Sequence, residues 1–115
     1  MNPVEHDRHI AYVSHLSHVS SFMLGKTVLE IEKNEQAIFD MASTGFASTV
    51  RLAKSSANTW TPIFLQNKEN VIRSLEEYIK NLNEFKEMIE TDNSEALNET
   101  MEGTNYIKTV LNGIK

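Results

Sequence analysis

The chain has 115 residues, 40% of them hydrophobic, and a formal charge of −5, which suits one domain with enough apolar content for a core. The acidic balance argues against nucleic acid as the main partner, because phosphate binding wants a basic stripe. There is no cysteine, hence no disulfide framework and no thiolate zinc site. No apolar run approaches the roughly 18 residues that span a bilayer, so no membrane role is expected and a cytoplasmic setting suits the chain.

The first predicted element is long. Asn2 can cap a helix, Pro3 suits its first turn, and Glu5 sits near the positive end of its dipole. Ile10, Val13, Leu16, Val19, Met23, Val28 and Ile31 then recur at helical spacing, which predicts one helix over residues 3–32 with a bend near Gly25. Ser14, Ser21 and Gly25 share a narrow arc of it, a strip of small side chains that lets another helix approach closely. Asn34 can cap a short helix through Ala37, Ile38, Phe39 and Met41, and Ala42-Ser43-Thr44-Gly45 should break it. Phe46 to Lys54 reads as a further short helix. Ser55-Ser56 offers a cap for a segment carrying Trp60, Ile63, Phe64 and Leu65. From Asn67 a strong stripe runs through Val71, Leu75, Tyr78, Leu82, Phe85 and Ile89. Asp92-Asn93-Ser94 should end it and cap a last helix with Leu97, Met101, Ile107 and Leu111. The sum is all-α, with about six helices of unequal length. Long amphipathic helices in so short a chain call for a covering partner.

All four histidines fall at positions 6, 9, 15 and 18. Imidazole titrates near neutral pH and is a frequent metal ligand. On one straight α-helix His6 and His9 form one pair and His15 and His18 another, and the pairs point to roughly opposite sides. They cannot converge on one ion without a break, and neither H-E-x-x-H nor E-x-x-H occurs, so no metal site is expected. His6 and His9, near the helix start, suit a solvated or capping role. For His15 and His18, in mid-helix, a structural and a pocket role both fit. Arg51 could make an ordinary surface ion pair, yet its planar fork also suits a carboxylate ligand. Trp60, the only tryptophan, reads most simply as core. Leu75, Leu82, Phe85 and Ile89 are assigned to packing or dimerisation. There is no G-x-G-x-x-G, P-loop or nucleophile elbow, so nothing in the chain should bind a nucleotide.

Taken in order, Met1, His6-Asp7, Ser14-His15-Leu16-Ser17-His18, Gly45-Phe46, Val50-Arg51-Leu52-Ala53, Thr59-Trp60 and Asn67-Lys68-Glu69-Asn70 resemble the C-terminal helical domain of prephenate dehydrogenases. The later residues fit that family's terminal helices by length. Ser17 stands where the family carries proline, which implies a straighter helix. Val50, Ser56, Thr59 and Ser43-Thr44 also depart from the family pattern and bear on loop conformation and fine substrate preference.

The resemblance implies that residues 1–115 form a dimerisation and substrate-binding domain of intertwined helices. Its parent enzyme would oxidise prephenate, or arogenate in some members, with NAD⁺ or NADP⁺ and loss of carbon dioxide, on the route to tyrosine. Tyrosine itself is an implied inhibitor. The cofactor and principal catalytic histidine would lie in an N-terminal Rossmann domain outside this chain. The chain alone is then expected to hold no cofactor and to be inactive, with no catalytic residue assigned in it. By position, Arg51 would bind a substrate carboxylate, and His18, with His15 beside it, would approach the substrate's polar groups. Trp60 would shape the pocket, and the Thr44-Gly45 loop would reach a pocket. The resemblance gives His6 and His9 no role. A reading from another class is a free-standing helical interaction or regulatory module whose histidines are only structural.

Overall fold

The structure is a computed structural model that describes residues 2–31 and 44–113. Among the described residues every regular element is helical. Two compact units are present, Met1–Leu75 and Glu76–Lys115.

The first unit opens with α1 (Pro3–Ile10). The Asn2 side chain accepts the Glu5 N–H at 2.8 Å, and Pro3 occupies the first turn, where a missing N–H costs nothing. Residues Ala11–His15 then form a π turn before α2 (Leu16–Ile31) resumes α geometry. The expected single helix is therefore helical throughout its described length, but one turn is widened. Ser17 permits helix to continue, its hydroxyl donating to the Val13 carbonyl at 3.3 Å. A π turn accommodates an extra residue, which rotates everything downstream by roughly 100° relative to a straight α-helix. The opposite-sided placement of the two histidine pairs assumed an unbroken α-helix and does not hold.

Next come α3 (Thr44–Thr49) and a 3₁₀ turn, Arg51–Lys54. Thr44 and Gly45, expected to separate two short helices, form the first turn of α3. The helix expected from Phe46 to Lys54 tightens after Val50. The short helix expected through Ala37, Ile38, Phe39 and Met41 lies outside the described residues. The small-residue strip on α2 receives the α3–3₁₀ segment. Ser21 is buried and its hydroxyl donates to the Thr49 carbonyl at 2.9 Å. A Cβ placed on Gly25 would sit 3.8 Å from the Ala53 Cβ.

Helix α4 (Ala57–Gln66) is capped by Ser56, whose hydroxyl accepts the Thr59 N–H at 3.4 Å. Pro62 removes one main-chain donor without ending it. After Asn67, α5 (Lys68–Glu90) begins. Ala11 and Val71 are the buried apolar residues among those described, and Ser74 is buried with its hydroxyl bonded to the Val71 carbonyl at 2.9 Å.

In the second unit α5 ends at Glu90, and Asp92 adopts φ 53°, a left-handed conformation that short polar side chains tolerate. Asn93 then caps α6 (Ser94–Thr104) by accepting the Ala96 N–H at 3.1 Å. The last helix was expected to be single. It is interrupted at Asn105, and α7 (Tyr106–Asn112) follows. The Thr100 hydroxyl reaches Met88 Sδ at 3.5 Å, linking α6 to α5. No described residue of this unit is buried, and Ile79, Leu82, Ile89, Met101, Ile107 and Leu111 are exposed. So thin a layer cannot close a core by itself.

Candidate functional site

The chemically distinctive part of the first unit is a cluster of rings between the α1–α2 rod and α4. His18 stacks on Trp60, with centroids 3.4 Å apart and planes inclined by 20°. His15 meets Trp60 edge-on at 6.0 Å and Phe64 edge-on at 6.4 Å. Trp60 and Phe64 are themselves 5.5 Å apart. Both phenyl and indole come from α4, four residues apart and hence on one face. The two imidazoles sit at the end of the π turn and in the first turn of α2.

A polar network lies beneath the rings. The Asn67 side-chain nitrogen donates to the Asp7 carbonyl at 2.8 Å and lies 3.3 Å from His15 Nδ1. Its oxygen accepts from the Asn70 side-chain nitrogen at 2.8 Å. The His18 Nδ1–H donates to the Ser14 carbonyl at 2.9 Å. His15 is only 7% exposed, and burial pushes its pKa below the usual imidazole value. His18 and His6 lower it further, and the Asp7 carboxylate opposes them.

The structure therefore brings His15, His18 and Trp60 together. Arg51 is exposed on the 3₁₀ turn, and its side chain has no ion pair among the described residues. Gly45 is exposed in the first turn of α3, its carbonyl accepting the Thr49 hydroxyl at 2.8 Å. His6 and His9 are exposed, and His6 Nδ1 lies 3.5 Å from Asp7 Oδ1. Among the described residues no three His, Asp or Glu side chains gather as metal ligands. None of the described helices is long and apolar enough to cross a membrane.

The sequence offers Asn67 as a helix restart and as part of the Asn67-Lys68-Glu69-Asn70 motif, with no site role, and Phe64 only as an apolar position. A signal for both was present: Trp60, Phe64 and Asn67 follow i, i+4, i+7 spacing, which places three ring-sized or amide groups along one stripe. The Asp7 carbonyl carries no sequence signal of its own.

Comparison with known proteins converges on one family. The family described as prephenate dehydrogenase, dimerization domain, matches residues 2–103. The chain is 28% identical over 97 residues to the prephenate dehydrogenase of Bacillus subtilis (strain 168), covering 84% of this chain and 26% of that protein. It is 35% identical to a solved prephenate dehydrogenase from A. aeolicus in complex with hydroxyphenyl propionate and NAD⁺, with a TM-score of 0.86 over 96% of this chain and 39% of that one. A Synechocystis arogenate dehydrogenase shares the fold at TM-score 0.89 and 22% identity, over 96% of this chain and 41% of that one. The chain thus spans well under half the length of these relatives. With all-helical architecture and a match over most of its length, the chain belongs to the prephenate dehydrogenase dimerization-domain family.

Proposed function

We propose that this chain is the dimerisation and substrate-pocket part of a prephenate dehydrogenase. The enzyme would convert prephenate to 4-hydroxyphenylpyruvate in the cytoplasm, with NAD⁺ or NADP⁺ as oxidant. The observation that carries the reading is the family match over residues 2–103. The ring cluster supports it, because a flat indole–imidazole wall suits a six-membered ring bearing polar groups.

Prephenate carries two carboxylates and a ring hydroxyl. Arg51 is exposed and free of ion pairs among the described residues, so its planar fork is available to a carboxylate. His18 and His15 would meet the polar groups of the ligand, and Trp60 would define the plane of its ring. Gly45, at the exposed start of α3, would border a pocket. Arogenate offers the same ring and a carboxylate, and tyrosine keeps enough of both to compete as an inhibitor.

In our reading the cofactor belongs to an N-terminal Rossmann domain of the parent protein. The exposed apolar stripe of the second unit supports a homodimer, since Ile79, Leu82 and Ile89 have no cover among the described residues. A free-standing interaction module is the weaker reading, because it leaves the family match unused.

The test is an assay of the protein encoded by the whole reading frame. With prephenate and NAD⁺ or NADP⁺ it should form 4-hydroxyphenylpyruvate and reduced nicotinamide. Failure with both cofactors, on prephenate and on arogenate alike, would contradict the reading.

A further inference from the structure

We propose that Asn67 is a positioning residue that locks His15 as its Nε2–H tautomer, so that the ring cluster holds one imidazole donor beside one imidazole acceptor. The proposal rests on the ring cluster being a substrate wall, as argued above.

The Asp7 carbonyl orients the Asn67 amide. A main-chain carbonyl only accepts, so the group 2.8 Å from it on Asn67 must be the amide nitrogen and not the amide oxygen. The oxygen is engaged from its other side by the Asn70 side-chain nitrogen at 2.8 Å. The amide orientation is therefore fixed at both ends. Its nitrogen has two hydrogens, and the second faces His15 Nδ1 at 3.3 Å. A donor facing Nδ1 requires Nδ1 to accept, which leaves the ring proton on Nε2. An imidazolium would set N–H against N–H at this contact.

Nothing else packed on His15 reverses this. Trp60 and Phe64, from α4, cannot ionise. On its own rod, His18 and His6 disfavour positive charge and only Asp7 favours it. Among the described residues no side-chain nitrogen is both buried and without a partner, so Nε2 is either at the accessible surface or hydrogen-bonded. His18 has the opposite arrangement. Its Nδ1–H is spent on the Ser14 carbonyl, and a neutral ring presents Nε2 as acceptor. The pair thus offers a ligand one donor and one acceptor, while fixed positive charge is left to Arg51. The lock also joins residues far apart in sequence, since Asn67 lies between α4 and α5 and Asp7 lies just before the π turn.

The experiment uses the full-length protein labelled with ¹⁵N-histidine, with His15 assigned by its loss in His15→Gln. Long-range ¹H–¹⁵N correlation should show Nδ1 unprotonated and Nε2 protonated at neutral pH. This measurement needs no variant at Asn67, and a proton on Nδ1 overturns the proposal. Asn67→Asp then replaces the donor by an acceptor. The proposal expects a folded protein, by circular dichroism, whose His15 carries a proton on Nδ1 and whose KM for prephenate rises about tenfold, with kcat little changed. A folded Asn67→Asp that keeps the Nε2–H tautomer, or keeps its KM, overturns it. If the natural protein never oxidises prephenate, the substrate reading fails, and the tautomer spectrum still decides the lock.

Discussion

His18 and Trp60 lie nearly parallel, their ring centroids 3.4 Å apart, although one belongs to α2 and the other to α4. Rings stacked in this way exclude water from both inner faces and fix each other's orientation. Trp60 also touches His15 and Phe64, so it is the member of the cluster shared by both imidazoles and the second aromatic of α4.

Removal of that shared ring should be costly. Trp60→Ala is expected to destabilise the first unit by about 3 kcal/mol, near the lower end for a large aromatic because the site is only half-buried. Chemical denaturation of the full-length protein followed by circular dichroism measures it. A change under about 0.5 kcal/mol, the scale of ordinary surface substitutions, would show that the cluster carries no packing energy.

The pH dependence of stability follows from His15. Its folded pKa lies below the ordinary 6.5, so the unfolded chain takes up the proton first as pH falls. The neutral ring's contribution is complete above about pH 6.5 and is lost as pH drops toward the lowered folded value. His15→Gln should flatten this part of the profile. An identical slope in the variant would assign the acid sensitivity to another group.

Gly25 offers a test of the small-residue strip. Alanine there would place its Cβ 3.8 Å from Ala53 Cβ, an ordinary contact, while improving helix propensity. Gly25→Ala is therefore expected to stabilise by up to about 1 kcal/mol. Gly25→Phe has no such room and should displace the 3₁₀ turn, which carries Arg51. Equal melting temperatures for the two variants would show that α2 does not meet that turn as described.

The apolar stripe of α5 should report on assembly. Light scattering of the full-length protein is expected to give twice the chain mass, and Ile79→Lys with Leu82→Lys should shift it toward one chain mass. These residues are exposed in the single chain, so lysine costs little there unless a partner covers them. A double variant that stays dimeric places the interface elsewhere.

Much of this fold is legible locally. Asn2, Ser56 and Asn93 announce their helices because capping is chemistry between neighbours three residues apart. The α5 stripe is equally plain because its period is long and unbroken. The π turn at Ala11–His15 has no such signature, and it alone spoils an angular argument about the histidines that assumes 100° per residue. The interruption at Asn105 is similarly silent, since Asn105 keeps φ −60° and ψ −19° there. In the candidate site, residue type alone leaves His15, His18 and Trp60 open between core and pocket, and the family resemblance is what singles them out. Asn67 was not recognised as part of it, because its role depends on a carbonyl that is distant in sequence and identical to every other carbonyl.

The central claim is that this helical chain supplies the substrate pocket of a prephenate dehydrogenase, with Arg51 as its carboxylate anchor. Steady-state kinetics of Arg51→Ala in the full-length protein test it most directly. Loss of a charged, bidentate hydrogen bond of about 1.5–3 kcal/mol should raise KM for prephenate by roughly ten- to a hundredfold and leave the KM for the nicotinamide cofactor unchanged. An unchanged KM for prephenate in a folded Arg51→Ala enzyme would contradict the account.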